Sequence, residues 1–268
     1  MIIKAGNFEF TECWDGVLYK ALSDYPNITD WELQTICDFI AYEESWGRKC
    51  TVEADDRSII EALNKFQKSP HKRRVPVPEK LTECTACPKY KGCMTDIVCH
   101  TSPVENAIKI FDCGSLLSPV RARDLSAAEL KAESRNAAND PEDFFEYIMF
   151  AWGNCQAGDR LVNERMLGRF PTEEELGAGF TQGVRFYFKY DKLAQHPDVV
   201  FEGVLPMKVK NEVVLCDYVY AVVVSTKHKE LVEKHISEDI KDKVYYLDPG
   251  DKDIWQWSES VYDFVKSI

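Results

Sequence analysis

Cys84, Cys87 and Cys93 stand at C-x2-C-x5-C spacing, and no other feature restricts the folding of this chain as tightly. Three thiolates crowded around one turn repel one another unless a cation holds them. The spacing therefore predicts a bound Zn²⁺ ion or an iron–sulfur cluster. Pro88 and Gly92 make the intervening loop turn-like, as a metal knuckle needs. The opposing reading is a set of buried reduced thiols, which pack as small apolar side chains. The start, MIIKAGNFEF, alternates like a strand and lacks the basic-then-apolar layout of a signal peptide. No apolar run reaches the roughly 18–20 residues that span a bilayer. The expectation is a cytoplasmic protein with no membrane partner, its ten cysteines reduced or metal-bound rather than disulfide-paired.

A fourth ligand is open between Cys99, the nearest in sequence, and Cys50, which follows SWGRK. With Cys50, the pattern resembles the cluster ligands of certain iron–sulfur nucleases. Their other motifs are not evident, so only the metal pattern carries over. The expected ligand set is Cys50, Cys84, Cys87 and Cys93, holding [4Fe–4S] or zinc in a structural site that clamps residues 1–80 onto the rest.

Residues 1–80 read as a mostly helical N-terminal unit and linker, residues 81–96 as the cysteine-rich segment, and residues 97–268 as one further domain. In TDWELQTICDFIAYEESWG, Trp31, Ile36, Phe39 and Ile40 recur at helical spacing, with Thr29 or Asp30 as cap and Glu32 in the first turn. DDRSIIEALNKFQK predicts a second helix, and the proline-rich, basic SPHKRRVPVPEK is the best boundary in the chain. Beyond it, TDIVCHTS reads as a strand and SPVENAIKIF as a helix, with Ser102 or Pro103 at its start and Gly114 past its end. Residues 124–180 read as mostly helical. Strands dominate from GVRFYFKY through EVVLCDYVYAVVVS, and DIWQWSESVYDFVKSI suits an amphipathic helix with Trp257, Val261, Phe264 and Val265 inward. Without regular βαβ alternation, the expected class is α+β.

CHTSPVENAIKIFDCGSLLS is a strand ending in His-Thr-Ser, then a helix with an asparagine, then a glycine and a leucine pair. It resembles the first motif of the ADP-ribosyltransferase superfamily. The resemblance implies that His100 bonds the adenosine ribose of NAD⁺ and that the backbone of Thr101, with Ser102 beside it, holds the nicotinamide carboxamide. The family's second motif is a strand whose aromatic residue stacks on nicotinamide, and GVRFYFKY matches it. Strand alternation puts Phe186 and Phe188 on one face and Tyr187 on the other, which leaves Tyr187 as the implied stacking residue. The third motif is a glutamate opening a strand, matched by Glu212 in KNEVVLCDYVYAVVVS. In the family this carboxylate binds the nicotinamide-ribose 2′-hydroxyl. A fixed negative charge there stabilises the positive charge that develops as nicotinamide departs.

Each residue also has a plainer reading. A strand histidine is more often a satisfied core or surface residue, FYF is commonly core, and Glu202 and Glu259 are rival glutamates. Order, spacing and secondary structure together favour the motif reading over residues 97–226. The family's cofactor arginine is open among Arg121, Arg123 and Arg135. The implied fold is α+β, with an ADP-ribosyltransferase-like split β-sheet core, a small helical N-terminal unit and a cysteine-rich metal knuckle. The implied activity is NAD-dependent mono-ADP-ribosylation of a protein or nucleic-acid acceptor, as in a toxin or defence enzyme. The alternatives are a non-catalytic metal- or iron–sulfur-containing interaction module and an iron–sulfur nucleic-acid processing protein. A net charge of −12 disfavours a polyanionic acceptor, since the only dense basic stretch is KSPHKRR, Lys68–Arg74.

Overall fold

A computed structural model describes residues 1–8, 11–69, 74–75, 94–133 and 142–268. The chain divides into two compact units, Met1–Thr95 with Val200–Lys208, and Asp96–Val199 with Val209–Ile268.

The first unit carries a sheet where a mostly helical unit was expected. Strands β1 (Ile2–Gly6), β2 (Glu12–Trp14), β3 (Val17–Ala21) and β4 (Thr51–Ala54) pair in the order β2-β3-β1-β4, with β1 parallel to both β3 and β4. Their brevity explains the correction, because strands of three to five residues carry a weak period-2 signal beside two clear helical patterns. Helix α1 (Asp30–Ser45) starts as its sequence predicts. The Glu32 N–H donates to Thr29 Oγ1 at 3.2 Å, and the Thr29 N–H donates to Glu32 Oε2 at 2.8 Å. Asp56 caps α2 (Arg57–Lys68). Ile3, Leu18, Ile36, Phe39, Ile59 and Leu63 form the shared core. Segment Val200–Lys208 joins this unit through a close approach at Gly203 (φ +81°), where a Cβ would fall 2.8 Å from that of Phe39.

The second unit begins with β5 (Ile97–Ser102), α3 (Val104–Cys113), β6 (Ser115–Leu117), α4 (Pro119–Arg123) and α5 (Ala127–Glu133). It continues with β7 (Tyr147–Trp152), α6 (Ala157–Leu167), β8 (Val184–Lys189) and α7 (Tyr190–Leu193). Short β9 (Val199–Val200) and β10 (Met207–Lys210) mark where the chain leaves and re-enters it. Then follow β11 (Glu212–Val214), α8 (Leu215–Tyr218), β12 (Val219–Ser225), α9 (Lys229–Val232), β13 (Val244–Leu247) and α10 (Ile254–Ser267).

Seven strands form an open sheet in the order β13-β12-β8-β5-β7-β10-β9, while β6 and β11 pair separately as a two-stranded ribbon. Strand β8 is antiparallel to both β5 and β12 and is wholly buried from Val184 to Phe188. Strand β7 lies inside the stretch expected to be helical. Its apolar run YIMFAW has no polar alternation to separate a buried strand from a buried helix. The terminal helix α10 buries Ile254, Trp257, Val261 and Val265, with Phe264 at the margin of the same cluster. The α+β class therefore stands, with open sheets. Among the described residues, no helix is long and apolar enough to cross a membrane.

Candidate active site

Among the described residues, no group of three or more His, Cys, Asp or Glu side chains could hold a metal ion. Cys84, Cys87 and Cys93 lie outside those residues. Cys50 is a half-buried free thiol packed against the first unit's core, and burial raises its pKa. Cys99 is a core residue paired with Tyr187 across β5 and β8, its thiol pushed up to about 12 by burial. Both sites disfavour the thiolate that a metal requires. The cysteine-rich metal knuckle and the [4Fe–4S] or zinc cofactor are therefore withdrawn.

The register of β5 against β8 decides where the histidine and the tyrosine face. His100 pairs with Phe186, while Cys99 pairs with Tyr187, which also pairs with Ala221 on β12. Directly paired residues share a face and neighbours along a strand alternate. His100 and Tyr187 consequently occupy opposite faces of the sheet.

Tyr187 is fully buried among Cys99, Ala221, Val223, Phe180 and Trp257. Its hydroxyl accepts a hydrogen bond from Arg185 Nη1 at 3.2 Å. Arg185, also fully buried, donates through Nε to Asp159 Oδ2 at 2.8 Å and through Nη2 to Asp159 and the Ser258 hydroxyl. Asp159 Oδ1 accepts the Gly183 N–H at 2.6 Å, so one carboxylate joins α6, β8 and the turn before β8. Burial is the largest single influence and opposes charge on Arg185, but Asp159, Tyr187 and Cys99 together outweigh it, so the guanidinium stays protonated. Burial likewise pushes the Tyr187 phenol far up, so the ring stays neutral. Thr101 lies half-buried on this face as well, and a Cβ on Gly158 or Gly183 would run into its side chain.

On the other face, His100 lies where two strands separate. The β5–β7 ladder pairs Val98 with Trp152 and Cys99 with Ala151, and goes no further. The His100 ring takes over the connection, with Nδ1 3.1 Å from the Met149 carbonyl oxygen. A carbonyl only accepts, so Nδ1 carries the proton and Nε2 is left to accept from the Ser102 hydroxyl at 3.3 Å. Burial holds this imidazole below its ordinary range; the bond to Met149 opposes that shift and nearby Arg165 adds to it. Phe150 and Phe188 pack behind the ring, and Phe111 of α3 packs on Phe186, which places α3 on this same face.

Glu212 opens β11, and Asn211 sets its approach. Asn211 adopts φ +68°, donates its N–H to the Glu146 carbonyl at 3.1 Å and accepts the Ser118 N–H at 2.8 Å. Glu212 pairs with Leu117, Val213 with Leu116 and Val214 with Ser115. The Glu212 carboxylate is half exposed and lies 3.3 Å from Arg121 Nη1 of α4. Arg121 is thus the candidate arginine that reaches the carboxylate, while Arg135 lies outside the described residues.

The fold brings Glu212 and Arg121 together, and ties Glu212 to the leucine pair that follows the His100 motif; it sets Tyr187 apart on the opposite face. The Asp159–Arg185–Ser258 network is what the sequence reading missed. Its one visible sign was an arginine inside an otherwise aromatic strand, a buried charge that demands a carboxylate from elsewhere. Compared with known proteins, the chain matches no protein-family model, no curated protein and no solved structure.

Proposed function

We propose that this protein is an NAD⁺-dependent ADP-ribosyltransferase in which Glu212 and His100 carry the site. One observation supports this above the rest. The leucine pair of the first motif and the glutamate of the third, about a hundred residues apart, are hydrogen-bonded partners in one ribbon, with Leu117 opposite Glu212. Two sequence motifs of one implied reaction coming together in space is unexpected of unrelated core segments.

In this reading Glu212 accepts a hydrogen bond from the nicotinamide-ribose 2′-hydroxyl and stabilises the cationic sugar as nicotinamide leaves. Arg121 partly neutralises the free carboxylate at 3.3 Å, and with half its own surface exposed it is free to turn to a phosphate of NAD⁺. The His100 tautomer supports an acceptor role at Nε2, where a ribose hydroxyl takes the place of the Ser102 hydroxyl. Tyr187 drops out as the stacking residue, because its ring is enclosed and its hydroxyl engaged. The acceptor is a macromolecule, and the net charge of −12 favours a protein over a nucleic acid.

The test is nicotinamide release from NAD⁺ by the wild type and by Glu212→Ala, offered protein and single-stranded nucleic-acid acceptors in turn. Release by the wild type and its loss in the variant is the expected result. Equal release by both, or none by either with every acceptor, would end the assignment.

A further inference from the structure

Glu212 is reached through a corner that a single residue makes. Lys210 ends β10, in the seven-stranded sheet, and Glu212 opens β11, in the two-stranded ribbon. Asn211 alone carries the chain from one to the other, and its backbone is left-handed, at φ +68°. The other non-glycine residues with positive φ among the described residues are Asp15 and Asp124. Asp15 lies in the turn between β2 and β3, and Asp124 ends α4, both places where a left-handed residue is ordinary. A left-handed residue directly between two strands is not. Its neighbours hold it there. The Asn211 N–H donates to the Glu146 carbonyl at 3.1 Å, and the Asn211 carbonyl accepts the Ser118 N–H at 2.8 Å.

We propose that Asn211 is a positioning residue for Glu212, and that its left-handed backbone turns the carboxylate toward Arg121. Side chains two apart on an extended strand point to the same side. An extended Asn211 would therefore send Glu212 to the side of Lys210, whose ammonium lies 2.8 Å from Glu146 Oε2. Glu212 would there crowd a carboxylate that already holds that lysine, and like charges repel. The left-handed corner breaks the alternation. Glu212 instead pairs with Leu117 across the ribbon and meets Arg121 Nη1 at 3.3 Å.

Residue type agrees with the geometry. Besides glycine, Asn and Asp enter this region most readily, because a short polar side chain bonds locally. Alanine tolerates it less, and a β-branched side chain least. The corner is a property of the backbone, and its consequence for turnover rests on the transferase reading.

The experiment compares Asn211→Gly, Asn211→Ala and Asn211→Val in the full chain, with circular dichroism confirming that each folds. Alanine, the milder change, carries the test where valine prevents folding. Amide exchange at Ser118, whose N–H bonds the Asn211 carbonyl, is expected to stay near wild type in the glycine variant. It should quicken about tenfold in the alanine variant, on the scale of left-handed strain, and further in the valine variant. Nicotinamide release from NAD⁺ should keep the same rank, with kcat about tenfold lower for alanine, KM for NAD⁺ unchanged, and turnover retained by the conservative glycine variant. Wild-type exchange in the alanine and valine variants would overturn the corner. A glycine variant as impaired as valine would assign the effect to the side chain and overturn the backbone role. Ordered exchange with a raised KM and an unchanged kcat would overturn the positioning of Glu212. If the wild type releases no nicotinamide, the transferase reading fails by itself, and the exchange series still decides the corner.

Discussion

The two faces of the seven-stranded sheet rise from the same alternating strands and solve opposite problems. On one, Arg185 is sealed from water and hydrogen-bonded to Asp159, Tyr187 and Ser258. On the other, the β5–β7 ladder stops at Cys99, His100 bridges the gap to Met149, and α3 leads directly into the ribbon that bears Glu212. A buried charge with every partner in place is committed to the fold, because losing one partner strands the rest. A half-exposed carboxylate held, among the described residues, by one 3.3 Å contact remains available to a ligand. The contrast commits the first face to stability and, on the proposed function, leaves the second to the chemistry; four measurements test it.

The largest stability effect is expected from Asp159→Ala, which leaves the Arg185 guanidinium enclosed without its carboxylate. A loss of about 3–5 kcal/mol in denaturant unfolding is anticipated, on the scale of breaking a buried ion pair from one side. A loss comparable to that of a surface substitution would show that water reaches this face. Glu212→Ala should behave in the opposite way. Turnover is expected to fall by ~10²–10³, the scale of removing one preorganised electrostatic contact. Its stability should stay within about 0.5 kcal/mol of wild type, as for exposed sites.

Tyr187→Phe discriminates more finely. Removing the hydroxyl that accepts from Arg185 should cost about 1.5–3 kcal/mol, as for hydrogen bonds to charged groups. The KM for NAD⁺ should not change. A raised KM with unchanged stability would return Tyr187 to the cofactor and dissolve the division between faces.

The smallest effect concerns pH. Burial lowers the folded-state pKa of His100 below its ordinary 6.5. As pH drops beneath 6.5 the unfolded chain takes up the proton first, so stability is full above that value and declines through the folded pKa. Imidazole resonances followed by NMR should place the His100 midpoint on the acid side of 6.5. A midpoint at or above that value would mean the ring is more solvated than its bond to Met149 implies.

Local signals were legible because they depend on neighbours in sequence. The Thr29–Glu32 capping box, the Gly114 stop to α3 and the inward stripe of α10 all appear where residue spacing put them. Signals that rest on partner choice were not. FYF correctly separated Tyr187 from the two phenylalanines, yet which of those faces His100 shares depends on pairing Cys99 rather than His100 with Tyr187. A one-residue change of register would have reversed the answer. Strand β7 was hidden for a related reason, because a wholly apolar run becomes a strand only when two neighbours accept its edges.

Sequence alone narrowed the α1 cap to Thr29 or Asp30, placed the Gly114 stop of α3, and yielded the face alternation of β8 and a candidate glutamate at the head of a strand. Tertiary structure alone decided that Tyr187 belongs to the core, that Arg185 finds its carboxylate on α6, and that Arg121 reaches Glu212. The physical reason is reach. Caps and periodicities are settled within a turn or two of chain, whereas charge pairing and strand register are settled by residues tens of positions away that only the closed sheet brings into contact.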